Sequence, residues 1–249
     1  MIIEKIFTKE TAAEMTGDVC IPDGYAKIDT QAFCRRDDVT GVIIPPSVKT
    51  IDSKAFLRCA NLVSITISEG VTNIAADAFC HCWGLKRFIV EKDNPEYCDV
   101  GGVLFNKDKT ALIRYPIGNK RKKYAVPDGT ISIAESVTAI GARAFLGCKL
   151  ENLVIPDNVT SIGFNAFCDS KLPEIITIPD SVVAIEYGAF WGSKIKNITI
   201  PASVVSIGHD AFDSEEEGFV IRGASGSAAE RYALENDIVF MEVKPQLTI

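Results

Sequence analysis

The stretch IPDNVTSIGFNAF, from Ile155 to Phe167, decides the fold because the chain repeats its pattern, I-P-x-x-V-x-x-I-G-x-x-A-F. The I-P and A-F pairs recur with the same separation from proline to phenylalanine: Pro22 to Phe33, Pro45 to Phe56, Pro179 to Phe190 and Pro201 to Phe212. One further turn, ending at Phe79, keeps the frame with Ser68 in place of the proline. The chain is therefore built from copies of one unit.

The spacing of the repeat phenylalanines predicts a solenoid. They lie at positions 33, 56, 79, 145, 167, 190 and 212, so the intervals are 23, 23, 66, 22, 23 and 22. A fixed period in the low twenties indicates units that bury their apolar side only against their neighbours. The phenylalanine is expected to fill the centre of each turn, and the small Ala and Gly positions allow the chain to turn tightly.

Alternating apolar residues within each unit predict a short strand before the proline. Ile65 and Ile67 alternate with Ser64 and Thr66, which places the isoleucines inward and the polar residues outward. Proline cannot donate to a strand ladder, so it ends the strand. The predicted strands, which should lie in one parallel sheet on one side of a right-handed coil, are Ile65–Ile67, Phe88–Val90, Leu153–Ile155, Ile176–Ile178 and Ile198–Ile200.

These elements closely resemble the BspA-like leucine-rich repeats. The I-P, V-x-x-I-G and A-F elements carry the resemblance over roughly residues 19 to 240, together with A-F-x-x-C at Cys59, Cys82 and Cys148. The resemblance implies a repeat solenoid, a leucine-rich-repeat right-handed superhelix of short parallel strands with few helices. It also implies a binding or adhesion role, often on microbial surfaces, without catalysis.

The repeats predict one elongated domain over residues 1–249. Its expected parts are an N-terminal cap (1–18), regular repeats (19–90), an irregular insertion unit (91–143), regular repeats (144–212) and a C-terminal cap (213–249). Within the insertion, Val103–Phe105 and Ala111–Ile113 predict a hairpin with a polar turn. Tyr124–Pro127 is expected to restart the strand, with seven extra residues looped out before Phe145.

Composition excludes several classes of function. The formal net charge is −7 and the pI about 5.0, whereas nucleic-acid binders usually carry a basic face. No run of 18 apolar residues is present to span a membrane. The first 18 residues lack the apolar segment of a signal peptide. The resemblance, in contrast, suggests a secreted or cell-surface protein. Because these two indications disagree, the localisation is left open, and so is the oligomeric state.

The eight cysteines are interpreted mainly as packing residues. Cys59, Cys82 and Cys148 occupy an inward position of the repeat, where cysteine acts as a small hydrophobe. Cysteines in register on successive turns are too far apart for a good disulfide. The cysteines directly after the phenylalanine, at 34, 80 and 168, are expected to be partly exposed. Cys80-His81-Cys82 lacks zinc-finger spacing and a second ligand pair, so no metal site is predicted.

The remaining candidate sites have simple structural interpretations. His81 and His209, the only histidines, are expected on the turn side of the solenoid, where no cleft is expected, so no catalytic residue and no cofactor is predicted. Gly223-x-x-Gly226 is interpreted as the cap of a helix that begins after Ser227 and not as an anion site. Lys120–Lys123 is either a solvated loop or a docking patch for an acidic partner.

The outward strand positions form the candidate binding surface for a protein or glycan partner. They are small, β-branched and almost uncharged, although such residues are also simply good strand formers. The predicted strand face comprises Ser64, Thr66, Arg87, Ile89, Asn152, Val154, Ile175, Thr177, Asn197 and Thr199, with Gly41 and Ile43 in the same register. The favoured function is a non-catalytic interaction or adhesion module. The alternative is an intracellular scaffold or structural spacer with reduced cysteines.

Overall fold

The computed structural model describes residues 4–119, 131–150, 153–212 and 218–243. The chain divides into two compact units, residues 1–120 and residues 121–249, which are described in turn. In both, strands with the sequence of the I-P element stack in parallel, so the predicted solenoid of short parallel strands is confirmed. The single domain predicted over residues 1–249 stays a prediction.

The first unit contains two stacks of parallel strands. Its elements are β1 (Lys5–Phe7), α1 (Lys9–Ala12), β2 (Gly17–Cys20), β3 (Tyr25–Ile28), β4 (Val39–Ile44), β5 (Thr50–Ile51), β6 (Ser64–Ile67), β7 (Asn73–Ile74), β8 (Arg87–Val90), β9 (Tyr97–Val100), β10 (Val103–Asn106) and β11 (Ala111–Arg114). The I-P strands pair in the order β2-β4-β6-β8, and the V-x-x-I strands pair in the order β1-β3-β5-β7. Each turn therefore contributes one strand to each stack.

The second unit repeats this arrangement. Its elements are β12 (Ile131–Ser132), β13 (Ala139–Ile140), β14 (Leu153–Val154), β15 (Ser161–Ile162), β16 (Ile175–Thr177), β17 (Ala184–Ile185), β18 (Asn197–Thr199), β19 (Ser206–Ile207), β20 (Val220–Gly223), α2 (Ala228–Glu235) and β21 (Val239–Glu242). β12 pairs with β14, and the remaining strands of this stack pair in the order β16-β18-β20-β21. Because β14 and β16 belong to two different sheets, the prediction of one continuous parallel sheet was wrong. The V-x-x-I strands pair in the order β13-β15-β17-β19.

The repeat phenylalanines form stacked columns at the centre of the turns, as predicted. In the second unit, Phe167 lies between Phe145 and Phe190 with ring centroids 5.0 and 5.1 Å apart, and all three side chains are buried. In the first unit the column starts one turn earlier than the sequence pattern indicated, because Phe7 of β1 stacks on Phe33 at 5.4 Å. Parallel rings at this distance stabilise one another in addition to burying apolar area.

Backbone hydrogen bonds join the A-F segments of neighbouring turns. The N–H of Phe145 donates to the carbonyl of Ala166 at 2.8 Å, and the N–H of Phe167 donates to Ala189 at 2.7 Å. Gly163 lies where a Cβ would come within 2.8 Å of the carbonyl of Ile140, one turn earlier. The small residues of the motif thus permit the close approach that these bonds require.

The restart of the repeats after the insertion differs from the prediction. Ile131 of β12 pairs with Leu153 and Ser132 with Val154, so this turn is in register with the next. The N–H of Val137 donates to Ala134 at 2.9 Å, as the N–H of Val159 donates to Pro156 at 3.0 Å. Ala134 therefore takes the place of the proline. The prediction that seven extra residues are looped out before Phe145 was wrong. Residues 124–127 lie outside the described residues.

The predicted hairpin of the insertion is confirmed, with a third strand that was not predicted. β10 pairs antiparallel with β11, and β9 pairs antiparallel with β10 through Val100 opposite Val103. Asn94, which is fully buried, fixes the entry into β9. Its amide nitrogen donates to the carbonyls of Ser68 and Val71 at 2.7 and 2.9 Å, and its oxygen accepts from the N–H of Tyr97 at 2.7 Å.

Two buried serines provide a test of how polar groups are accommodated. The hydroxyl of Ser170 donates to the carbonyl of Phe145 at 2.6 Å, whereas that of Ser68 finds no partner among the described residues. We expect Ser170→Ala to lower the free energy of unfolding by about 1–2 kcal/mol because it leaves that carbonyl without the hydroxyl. Ser68→Ala should leave the free energy of unfolding unchanged or raise it. Urea unfolding of both variants checks this, and equal losses would contradict it.

Candidate functional site

The predicted strand face of the first unit is continuous from β2 to β8. Pairing places Ile43 opposite Thr66, and Thr66 opposite Ile89. Ile43 and Ile89 are exposed and Thr66 is half-buried. A second column places Ser64 opposite Arg87, with Ser64 half-buried and Arg87 exposed. These side chains point away from the core, which is held by Ile65 and its equivalents.

The second unit carries a similar strand face. Ile175 pairs with Asn197, and Thr177 pairs with Thr199. Ile175 and Thr177 are exposed, and Asn197 and Thr199 are half-buried. Val154 of β14 is also exposed, whereas Asn152 lies outside the described residues. The described residues of the predicted strand face are exposed or half-buried, in one group on each unit, except that Gly41 is buried beneath the Asp18 side chain.

Sequence reasoning missed several residues that extend these columns. In the first unit, Cys20 of β2 pairs with Ile43 and Asp18 pairs with Gly41, and both are exposed. Their offset from Pro22 equals that of Ile43 and Gly41 from Pro45, so the pattern could have found them. In the second unit the columns continue through β20 and β21, which lack the proline that marks a strand end. The added residues there are Val220, Arg222, Val239 and Met241.

The cysteines of the A-F-x-x-C position are buried, as predicted, but they also donate hydrogen bonds. The thiol of Cys59 donates to the carbonyl of Phe33 at 2.9 Å, and that of Cys82 donates to Phe56 at 3.0 Å. Contact with the Cys59 sulfur, together with burial, raises the pKa of Cys82 well above its ordinary value. A protonated thiol is the form that can donate. Interpreting these cysteines only as small hydrophobes was therefore incomplete.

The prediction for the cysteines that directly follow the phenylalanine was partly wrong. Cys34 is half-buried, but Cys80 and Cys168 are buried. None of the eight cysteines, all of which lie within the described residues, is joined in a disulfide, and Cys20 on the strand face is the exposed one. Cys98 of β9 is half-buried, and its pKa is raised by burial.

Each unit contains one of the two histidines. His81 occupies a turn, with its ring 5.2 Å from that of Trp83. His209 is exposed and its Nδ1 lies 2.9 Å from the carboxylate of Asp210. Within residues 4–119, 131–150, 153–212 and 218–243, no cluster of three or more His, Cys, Asp or Glu side chains could hold a metal ion.

The turn side of the second unit contradicts the expectation that no cleft lies there. An open groove of about 320 Å³ is lined by Asn165, Cys168, Tyr187, Gly188, Trp191 and Asp210. Tyr187 and Trp191 are exposed aromatic side chains. These residues occupy the variable positions next to the A-F pairs, where the repeat pattern does not specify the residue type.

The C-terminal helix is capped as predicted. The Ser227 hydroxyl accepts from the N–H of Glu230 at 3.4 Å, and the Glu230 carboxylate accepts from the N–H of Gly226 at 2.6 Å. The protein's own carboxylate thus takes the position that an anion would occupy. The basic run Lys120–Lys123 lies outside the described residues. Neither helix of the described chain is long and apolar enough to cross a membrane.

Comparison with known proteins identifies the repeats. The family model described as BspA type leucine rich repeat region matches residues 4–108 and 129–220, in six copies. A leucine rich cell surface protein from Faecalibacterium prausnitzii is 27% identical, with a TM-score of 0.63 over 90% of this chain and 63% of that protein. The present chain thus spans less than two thirds of that relative. No curated protein matches the chain.

Two further solved structures are similar in fold. A leucine-rich repeat protein from Eubacterium ventriosum is 19% identical, with a TM-score of 0.60 over 86% of this chain and 67% of that one. The pneumococcal vaccine antigen PcpA is 18% identical, with a TM-score of 0.57 over 92% of this chain and 80% of that one. At these identities the likeness concerns the fold alone.

Proposed function

Because the chain belongs to the family of BspA-type leucine-rich repeat proteins, we propose that it is a non-catalytic interaction module whose strand face binds a protein or glycan partner. Repeats of this family are generally protein-interaction modules and are typically not enzymes. The relative from Faecalibacterium prausnitzii, a leucine rich cell surface protein, supports a location at a cell surface.

The observation that carries the proposal is the exposure of apolar side chains in registered columns. Ile43 and Ile89 in the first unit, and Ile175 in the second, are exposed although each lies on a strand that pairs with a neighbouring strand. Exposed apolar residues that cluster on one rigid surface typically mark an interaction site. Neighbouring strands lie about 5 Å apart, so these columns form a ridged surface that suits many weak contacts.

The proposal is tested by placing charge on the strand face. In the double variant Thr66→Arg/Asn197→Arg, neither side chain packs inward, so folding should be unchanged and capture of the partner should fall by about tenfold or more. Wild-type and variant proteins, immobilised equally, are compared for the proteins and glycoproteins they retain from extracellular extracts. Circular dichroism verifies that the fold is kept.

The double variant Thr72→Arg/Asn73→Arg is the matched control. It carries the same residue changes at two exposed positions, Thr72 beside β7 and Asn73 on β7, away from the strand face. It should retain the partner as the wild type does. Equal capture by the strand-face variant and the wild type would remove the strand face from consideration.

The alternative function is an intracellular scaffold or structural spacer. It is motivated by the eight cysteines of the sequence, because proteins of a reducing compartment keep their thiols reduced. Thiol titration of protein purified from its native cells separates the two functions. Eight free thiols support the intracellular scaffold, whereas oxidation of exposed Cys20 supports an extracellular location.

A further inference from the structure

The groove on the turn side of the second unit has the features of a built binding site. It opens between three successive turns, which contribute Asn165 and Cys168, then Tyr187, Gly188 and Trp191, and finally Asp210. It lies away from the strand face, so the inference below does not depend on the proposed function. Its volume of about 320 Å³ is at the lower end of the range for small-molecule sites.

One wall of the groove is an aromatic ladder that is held rigidly. The ring of Tyr187 stacks on Phe164 at 5.4 Å on one side and on the imidazole of His209 at 6.3 Å on the other. Arg143 extends the ladder, with its guanidinium 4.6 Å from the centre of the Phe164 ring. Since both faces of Tyr187 are covered, the tyrosine contributes its edge and hydroxyl, not a ring face, to a ligand.

Trp191 supplies the apolar surface. Its indole is 47% exposed, although the residue directly follows the buried Phe190. In the preceding turn the equivalent residue is Cys168, which is buried. A large aromatic side chain left exposed beside a groove offers a flat apolar platform with an N–H at its rim. This is the geometry that stacks against the flat C–H face of a sugar ring.

Gly188 allows the Asn165 side chain to lie against the groove because the glycine has no side chain of its own. A Cβ at this position would lie 2.0 Å from the amide oxygen of Asn165. The equivalent positions in the neighbouring turns, Asn165 and Asp210, carry side chains in the same left-handed conformation. The Asn165 amide therefore occupies the space beside the glycine and lines the groove together with the Asp210 carboxylate.

The charges of the groove select the class of ligand. Among the described residues that line the groove, Asp210 is the only charged one, and its carboxylate already interacts with Tyr187 and His209. The hydrogen bond to Asp210 raises the pKa of the Tyr187 hydroxyl and uses its one proton, so this hydroxyl can accept a hydrogen bond from a ligand. Anionic ligands are repelled by Asp210, while an amide, a hydroxyl and a carboxylate suit the hydroxyl groups of an uncharged ligand.

The geometry points to a binding site for a neutral saccharide in this groove, with Trp191 as the stacking platform and Asn165 and Asp210 as hydrogen-bonding partners. A sugar combines an apolar ring face with a hydroxyl-rich edge, which matches the indole on one side and the polar side chains on the other. An open groove of this volume accommodates roughly one or two sugar rings.

The test uses isothermal titration calorimetry of the full chain with four uncharged disaccharides: maltose, cellobiose, lactose and N,N′-diacetylchitobiose. We expect saturable binding of at least one of them. Trp191→Ala should weaken its affinity by about tenfold or more, because the platform is removed. Gly188→Ala, whose Cβ would displace the Asn165 amide without changing the indole, should weaken the affinity as well.

Trp83→Ala is the matched control, since Trp83 is the other tryptophan, is 51% exposed and lies in the first unit. It should leave the affinity unchanged. In Trp83→Phe, Trp191 becomes the only tryptophan, so its fluorescence should change with the same apparent affinity. The inference is overturned if none of the four sugars binds, or if Trp191→Ala binds the sugar as tightly as the wild type does. It is also overturned if Trp83→Ala loses as much affinity as Trp191→Ala. Binding of tetramethylammonium chloride in place of the sugars would also overturn it.

Discussion

We expect Phe167→Ala to lower the free energy of unfolding by about 3–5 kcal/mol. Phe167 is completely buried, and its ring is stacked between Phe145 and Phe190. Truncation leaves a ring-sized cavity that the two neighbouring turns cannot fill, because hydrogen bonds between the A-F segments fix the spacing of their backbones. Urea unfolding followed by circular dichroism measures the loss.

Phe164→Ala is the matched control for Phe167→Ala. Phe164 is the same residue type three positions earlier, but it is half-buried in the turn-side ladder. Its truncation should lower the free energy of unfolding clearly less, by on the order of 1 kcal/mol. If the two variants lose equal stability, the phenylalanine column is not the main support of the turn.

The effect of Phe167→Ala should also be local. In a solenoid each turn contacts only its neighbours, so the damage should remain close to the substitution. Trp191 reports on the second unit and Trp83 on the first. With the other tryptophan changed to Phe, Phe167→Ala should lower the unfolding midpoint reported by Trp191 more than that reported by Trp83. Equal shifts would indicate one fully cooperative chain.

We expect Asn94→Ala to have the second largest effect, a loss on the order of 3 kcal/mol. The Asn94 side chain makes four hydrogen bonds: to the carbonyls of Ser68 and Val71, and from the N–H groups of Glu96 and Tyr97. Alanine leaves these backbone groups without the amide in a region where Asn94 itself is fully buried. The same urea titration measures the loss.

The control for this substitution is Asn73→Ala. Asn73 lies on β7 and is exposed, so its removal should change stability by less than about 0.5 kcal/mol. Asn94→Asp provides a second probe, because a carboxylate keeps the acceptor but cannot donate to the two carbonyls. A wild-type unfolding curve for Asn94→Ala would show that the insertion does not depend on this residue.

The repeat frame was predictable because it rests on residues that the geometry of a turn demands. Proline ends a strand, alternating isoleucines face one side, and phenylalanine is the residue that fills the centre. Pairing of Ile65 with Phe88 and of Ile176 with Ile198 follows from the constant period alone. A one-residue change of register would turn the inward isoleucines to the solvent.

The parts that could not be predicted are those that lack the proline or the A-F pair, and those whose structure does not depend on the repeat pattern. Ala134 replaces the proline, so the turn that begins at Ile131 was hidden, although its apolar residues keep the frame. Phe7 is not preceded by the alanine of an A-F pair, yet its ring stacks on Phe33. The third strand of the insertion, β9, depends on the hydrogen bonds of Asn94, which the strand pattern does not report.

The groove was missed for a different physical reason. Its residues occupy the variable positions of the repeat, where any side chain is compatible with the turn. Whether a groove forms there depends on the sizes of neighbours one turn apart, such as Gly188 beside Asn165. The pairing of positions across turns can be derived from the period, but the packing of those side chains requires coordinates.

Site-specific photo-cross-linking tests the central claim, that the strand face contacts the partner, most directly. A benzoylphenylalanine is placed either at Ile175 on the strand face or at Val205 on the turn side. The two residues belong to the same unit and are equally exposed, at 69% and 71%. The strand-face account predicts cross-links to the captured partner from position 175 and not from position 205. Cross-links from position 205 alone would contradict it.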